Sequence, residues 1–344
     1  MSLPFPLLLL FLQLTHASNF TATFFFGDST LDTGNNNFIS TSFNGNHAPY
    51  GVNFPVNQTC TGRFSDALLV PDLLTSSLNL TLSPPYLNPQ LPPDEILTGV
   101  NFASAGSGYD ELTSNLSSTL SMSGQLSMFQ EYLGRLKEMA GEEEGRRIVE
   151  GALFVFSAGG NDVIFNYYVL GIRSVEYDMS GYQDFLHGIL MDALKSVYSH
   201  GGRRFIVAGL PPIGCLPFQI TASKNAIRRT CVDHQISDTI AYNSKLKKLL
   251  PQLQESLPGS KIAYLDITDN VLEIINNPKK YGFEEAKRGC CGSGLMEVGP
   301  LCNIMSPVCK NVSSFVFFDA IHPSERIYRF VTDHIMNNVI PQLY

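Results

Sequence analysis

The chain predicts an α/β fold with a mainly parallel sheet and helices on both faces. Three observations carry this. Five short, continuously apolar runs have the look of strands covered on both sides. Stretches with apolar residues at helical spacing lie between them. Runs of Gly, Ser, Asn and Asp follow several of the strands, where a turn is needed. Alternation of strand and helix points to a parallel sheet. With 344 residues, 44% hydrophobic, the chain is long enough for a large core.

The strands are expected at residues 23–26, 100–102, 153–156, 205–208 and 262–265. Leu126, Phe129, Leu133 and Leu136 mark a helix, as do Phe185, Ile189, Leu190, Ala193, Leu194 and Val197. A long helix follows Asp233, with Ile236, Ile240, Leu246, Leu249, Leu250 and Leu253 on one side. The last helix starts at Ser324-Glu325 and carries Ile327, Phe330, Val331 and Ile335. These stripes read as core faces. Residues 33–56, 82–93 and 289–311 read as loops, rich in Asn and Gly, in Pro, and in Cys respectively. No repeat or dividing linker is evident, so residues 19–344 are expected to form one domain.

Residues 1–18 read as a secretory leader. Residues 6–14 are almost wholly apolar, and Thr15-His16-Ala17-Ser18 offers small residues for cleavage, although no Lys or Arg precedes the apolar run. Five Asn-x-Ser/Thr sequons, at Asn19, Asn57, Asn79, Asn115 and Asn311, agree with a secreted, extracellular protein. No later apolar run is long enough to span a membrane. Net charge is −8 without a long basic run, which argues against nucleic acid as a partner.

The cysteine count of seven is odd, so at least one is left free or pairs between chains. In an oxidising compartment Cys215, Cys231, Cys290, Cys291, Cys302 and Cys309 are disulfide candidates, with Cys215–Cys231 the first expectation. Zinc fits less well, because no Cys-x2-Cys pair or nearby His completes a ligand set.

Ligand sites in parallel sheets lie beyond the carboxyl ends of the strands. Gly27-Asp28-Ser29 follows the first strand, Ala103-Ser104-Ala105-Gly106-Ser107-Gly108 the second and Ser157-Ala158-Gly159-Gly160-Asn161-Asp162 the third. Near the C-terminus an apolar run leads into Asp319-Ala320-Ile321-His322-Pro323. These residue types suit acyl transfer. Ser29 needs a base to become a nucleophile, and His322 supplies an imidazole. Asp319, three residues earlier, can fix its tautomer. A tetrahedral intermediate needs N–H donors, which the Gly106 backbone and the Asn161 side chain can supply. Each segment alone is ordinary turn chemistry. Asp28 reads as a backbone-bonding residue and Asp162 as a helix N-cap. His47, His187, His200, His234 and His334 lack matching context. The chain has no Gly-x-Ser-x-Gly elbow, Walker loop, His-Glu-x-x-His or full dinucleotide fingerprint.

Taken in order, the segments resemble the GDSL esterase/lipase family of the SGNH hydrolase superfamily, in its secreted plant-type branch. The blocks are Phe-Phe-Phe-Gly-Asp-Ser-Thr-Leu-Asp-Thr-Gly-Asn-Asn, Val-Asn-Phe-Ala-Ser-Ala-Gly-Ser-Gly, Gly-Gly-Asn-Asp and Phe-Asp-Ala-Ile-His-Pro. Pro211-Pro212-Ile213-Gly214-Cys215-Leu216-Pro217, Thr61-Gly62-Arg63-Phe64-Ser65-Asp66 and Cys290-Cys291-Gly292 also fit. The resemblance implies a flavodoxin-like three-layer α/β/α sandwich around a five-strand parallel sheet. It implies Ser29 as nucleophile and first oxyanion donor, Gly106 and Asn161 as the other donors, His322 as base and Asp319 as its orienting acid. No metal or organic cofactor is implied, and the expected partner is an ester: a lipid, or an acylated small molecule or glycan. Thr30 stands where the motif has leucine, and Phe318 where tryptophan is frequent. Acyl transfer to another alcohol, or a non-catalytic extracellular binding module that keeps the fold, are the alternatives.

Overall fold

The computed structural model describes residues 20–344. The leader and the Asn19 sequon lie outside the described residues. Four strands, β1 (Thr23–Gly27), β2 (Leu153–Ser157), β3 (Arg204–Ala208) and β4 (Lys261–Leu265), form one sheet in that order. Every neighbouring pair is parallel. The segment expected as a further strand, residues 100–102, lies along the outer edge of β1 but pairs with it through only a single parallel bridge, Phe25 to Asn101, with a second on its far side to Pro85. Phe102 N–H donates to Phe25 O at 2.9 Å. The Asn101 amide group is turned inward and donates to Leu31 O at 2.6 Å, while its backbone N–H goes outward to Pro84 O. The sheet is therefore four regular strands and a fifth, irregular edge. With that edge counted, the second segment of the chain flanks β1 on one side and the third, β2, on the other. The order reverses between β1 and β2, which opens a crevice beyond their carboxyl ends.

The register gives the sheet two unlike faces. Phe24, Phe26, Phe154, Phe156 and Phe205 share one face. Phe24 stacks on Phe154 at 5.0 Å and Phe26 on Phe156 at 4.8 Å. Phe129 and Tyr132, from the Met122–Ala140 helix, meet Phe24 at 5.6 and 5.1 Å. Such pairs add about 0.5–1.5 kcal/mol each beyond burial. The Met179–Ser199 helix packs beside this one, and Asp233–Ser256 beyond it. The other face carries Phe25, Gly27, Val155, Ser157, Ile206, Ala208, Ala263 and Leu265. The Val70–Ser77 and Glu325–His334 helices, packed on each other, lie on this side. The result is helix, sheet, helix.

The four helices read from apolar spacing are all present. Ile240 departs from its stripe and is 48% exposed, because the long helix buries Thr239, Tyr242 and Asn243 instead. Ser324 precedes the last helix, but its hydroxyl donates to Phe315 O rather than capping, and Asp66 accepts the Glu325 N–H at 2.8 Å. A second, two-stranded parallel sheet pairs β5 (Glu285–Gly289) with β6 (Phe315–Phe317). Among the described residues no helix is long and apolar enough to cross a membrane.

Candidate active site

β1 ends at Gly27, where a Cβ would fall on the Ser157 carbonyl. Only glycine allows that approach. Buried Gln125 grips the same residue from the Met122–Ala140 helix. Its Oε1 accepts Gly27 N–H at 2.8 Å and its Nε2 donates to Gly27 O at 3.0 Å. The next turn is wound on Asp28. Asp28 N–H donates to Ser157 O, Thr30 N–H to Asp28 Oδ1, and Leu31 and Asp32 N–H to Asp28 O. Ser29 thus has the one backbone N–H from Gly27 to Asp32 with no partner among the described residues. Burial pushes the Asp28 carboxyl up, against the hydrogen bonds from Thr30.

Ser29 and His322 come together at this turn. Ser29 Oγ lies 2.7 Å from His322 Nε2, and His322 Nδ1 lies 2.6 Å from Asp319 Oδ2. An ionised Asp319 beside Nδ1 favours the tautomer protonated there, leaving Nε2 to accept from the Ser29 hydroxyl. Asp319 is fully buried and held from both ends. Its Oδ1 accepts the N–H groups of Ile321 at 2.8 Å and His322 at 2.6 Å. Its Oδ2 also accepts the Tyr50 hydroxyl at 2.7 Å. Phe64 lies against the His322 ring at 4.7 Å.

The loop after residue 102 supplies a second unpartnered donor. Ser104 N–H goes to Gly27 O, Ala105 N–H to Asp32 Oδ2 and Ser107 N–H to Ser104 O. Gly106 N–H is left without a partner among the described residues. Gly106 has φ +83°, and a Cβ there would press into the Phe43 ring. Asn36 fixes the peptide that carries this N–H. Its Nδ2 donates to Ala105 O at 2.8 Å and to Phe43 O at 2.6 Å, and its Oδ1 accepts from Ser104 Oγ at 2.5 Å. Asp32 serves the same loop. Burial pushes its carboxyl up to about 6, although the N–H groups of Ala105, Gly34 and Asn35 favour the charged form. Asn161 Nδ2 spends one hydrogen on Ser107 O at 2.8 Å.

Asp162 is not the cap that the sequence suggested. It opens the Asp162–Val169 π-helix, but its carboxylate accepts Tyr109 N–H, Asp110 N–H and Thr113 Oγ1–H, across the crevice. Asp28 bonds its own turn, as read. His187 is buried with its ring tilted against Tyr242, and none of His187, His200, His234 and His334 lines the cavity at Ser29.

The cysteines pair as Cys215–Cys231, Cys290–Cys309 and Cys291–Cys302, and Cys60 is free. Two of these bonds brace the approach to Asp319. Cys290 N–H donates to Phe317 O and Cys291 N–H to Phe318 O. Asn57, Asn79, Asn115 and Asn311 are all exposed.

Sequence reasoning missed Tyr50, Gln125, Asn36, Asp32 and Phe64 as parts of this site. Asp32 and Asn36 lie in the segment 24–36 and Phe64 in the segment 61–66, but their partners are distant in the chain. Arg63 and Asp66, from that same segment, serve the framework. Arg63 makes a buried ion pair with Asp72 at 2.7 Å, and Asp66 caps the last helix.

The crevice, Ser29 and its two unpartnered N–H groups have the architecture of a serine hydrolase site at the end of a parallel sheet. The chain matches the GDSL-like Lipase/Acylhydrolase family over residues 23–335, and it belongs to that family. Among relatives in Arabidopsis thaliana, it is 48% identical to GDSL esterase/lipase At2g31550, over 92% of this chain and 88% of that one. It is 46% identical to GDSL esterase/lipase At2g40250, over 98% and 95% of the two chains. GDSL esterase/lipase At1g06990 is 43% identical over 91% and 87%.

Proposed function

We propose that this protein is a serine ester hydrolase working through an acyl-enzyme on Ser29. One observation carries the reading. Ser29 Oγ faces the His322 imidazole at 2.7 Å, at a turn where Ser29's own N–H is unspent. The Ser29 oxygen attacks the ester carbonyl carbon while its proton passes to His322 Nε2. The carbonyl oxygen becomes an oxyanion that takes hydrogen bonds from Ser29 N–H, Gly106 N–H and the remaining Asn161 Nδ2 hydrogen. Each such donor contributes about 2.7–4 kcal/mol in the transition state. Collapse breaks the ester C–O bond, and the departing alkoxide takes the proton from His322. Water then attacks the acyl-enzyme with His322 as base and frees Ser29. Asp319 stays ionised and steadies the imidazolium.

The protein acts outside the cell in this reading. The apolar leader, three disulfides and four exposed sequons support a secretory route. Residues 19–344 are the mature unit, and glycosidase treatment with N-terminal sequencing of secreted protein tests that. A fluorophosphonate probe should label wild-type protein on the peptide carrying Ser29 and leave Ser29→Ala unlabelled. Folded wild-type protein that takes no label and hydrolyses no ester would overturn the assignment. Adding a second alcohol and analysing products separates hydrolysis from acyl transfer.

A further inference from the structure

Ser29 lines a partly enclosed, largely apolar cavity on the side of the sheet that carries Val155, Ser157, Ala208 and Leu265. Its floor is made by the last residues of three successive strands, Ser157, Ala208 and Leu265. The cavity exists on this side because these three side chains are small or aliphatic; of the phenylalanines in the sheet only Phe25 shares this face, and the other five crowd the opposite one. Ile327 and Val331 of the Glu325–His334 helix cover it, and Val271 of the Thr268–Asn276 helix stands beside them. A separate surface pocket lies beyond that wall, lined by Asn270, Tyr281 and Phe330 and sharing Val271, Ile327 and Val331 with the inner cavity. Those three side chains are therefore a single-layer partition, and each is at least nine-tenths buried.

The geometry points to an acyl tunnel for a straight aliphatic chain of about ten carbons, closed at its far end by Val271 and Val331. This rests on the ester-hydrolase reading above. The leaving alcohol must depart, and the deacylating water must enter, while the acyl group stays attached to Ser29. The dead end is thus the acyl side, and the alcohol side lies at the Ser29 end, where Asn161, Pro211 and Leu216 also line the cavity. From β1 to β4 there are three strand spacings, about 14 Å in all. An extended alkyl chain, at roughly 1.3 Å per carbon, covers that with about ten to eleven carbons. Tyr328, also in the wall, is buried and its hydroxyl has no partner among the described residues. Its electrostatic neighbours are Asp28, Asp319 and Asp66, which puts that hydroxyl toward the Ser29 end and leaves the far end apolar.

The test uses p-nitrophenyl esters from acetyl to palmitoyl, with kcat/KM for each chain divided by that for acetyl in the same protein. Wild type should peak near decanoyl and fall beyond dodecanoyl. Val271→Phe or Val331→Phe should lower the decanoyl ratio at least tenfold. The Val271→Ala/Val331→Ala double variant opens the partition into the surface pocket and should raise the palmitoyl ratio about tenfold. Because the variants push in opposite directions, loss of folding in one leaves the other decisive. In parallel, decanoate binding to Ser29→Ala protein is read by displacement of a fluorescent fatty acid, with and without Val271→Phe. Binding that Val271→Phe weakens tenfold upholds the tunnel even if wild type hydrolyses no ester, in which case the hydrolase reading alone fails. Active protein whose chain-length ratios are the same in wild type, the Phe variants and the double Ala variant would overturn the tunnel and leave the hydrolase reading standing.

Discussion

Replacing Tyr50 by Phe removes one oxygen and nothing else, yet that oxygen has two partners. It accepts Gly299 N–H at 2.8 Å and donates to Asp319 Oδ2 at 2.7 Å. The direction is fixed, because an amide can only donate, which commits the hydroxyl proton to the carboxylate. Burial, and then the charge on Asp319, push the Tyr50 hydroxyl well above its ordinary pKa, so it stays a neutral donor at any working pH. In Tyr50→Phe the hydrogen bond to a charged group, about 1.5–3 kcal/mol, is lost, and the buried Gly299 N–H is orphaned at about 1–3 kcal/mol. The two overlap, so the expected cost is about 2–5 kcal/mol. Unfolding entropy is roughly 2 cal/mol/K per residue, which makes each kcal/mol worth about 1.4 °C here and puts the fall in Tm at about 3–7 °C.

The catalytic effect should be much smaller. Asp319 Oδ1 keeps both backbone donors, from Ile321 and His322, so the carboxylate cannot swing away from the imidazole. Losing Tyr50 also concentrates charge on Oδ2, beside His322 Nδ1, which favours the imidazolium. Looser positioning and stronger charge oppose each other, and kcat should change by less than about tenfold. Thermal unfolding and ester kinetics on the same preparations check both halves. A hundredfold loss of kcat with unchanged Tm would refute this reasoning and make Tyr50 part of the proton chemistry. No change in either would show that the hydrogen bond carries nothing.

Asn161→Ala should lower kcat about 10²–10³-fold with little change in KM, since the Nδ2 hydrogen not spent on Ser107 O is used only by the oxyanion; steady-state kinetics decides this. Asp162 is buried and its carboxyl is pushed up to about 7 by desolvation, with Asp110 adding to it. A folded-state value above the unfolded one means the native state is favoured when protonated. Stability should therefore be greatest below about pH 4 on this account and decline as pH rises toward 7. Asp162→Asn should flatten that decline, as denaturant titrations at several pH values would read. Cys291→Ser/Cys302→Ser opens a loop with a sequence separation of 11. It should cost about 3 kcal/mol, and activity should fall further than stability because Cys291 N–H holds Phe318 O, next to Asp319; kcat measured well below Tm separates the two.

Ser29, Gly106, Asn161, Asp319 and His322 were legible because each follows a strand or an apolar run, where a parallel sheet places its ligands. Gln125, Tyr50 and Asn36 were not, for a different reason in each case. Gln125 sits in a helix whose apolar stripe passed around it, and only the folded chain puts its amide on Gly27. Tyr50 lies in an Asn- and Gly-rich loop and meets a carboxylate 269 residues away. Asn36 is one of three consecutive asparagines, and composition alone does not say which faces the Ala105–Gly106 peptide. β5 escaped because Glu285-Ala286-Lys287-Arg288-Gly289 has no apolar run. Its place is fixed by pairing with β6 and by the disulfides that follow.

The alternation within β1 to β4 explains why chemistry and cavity occur together. One residue parity holds Phe24, Phe26, Phe154, Phe156 and Phe205, of which Phe24, Phe26 and Phe154 pack against Phe129, while Phe156 and Phe205 pack on Phe26 and Phe154. The other parity ends in Gly27, Ser157, Ala208 and Leu265, the first two of which admit the close turn at Ser29. Because side chains in a strand alternate with period two, a one-residue slip of β1 against β2 would exchange the faces. It would put a phenylalanine where the turn needs glycine and would fill the tunnel with rings. The aromatic face therefore does more than stabilise the core: by fixing register it keeps the small residues, the nucleophile turn and the cavity on the same side of the sheet.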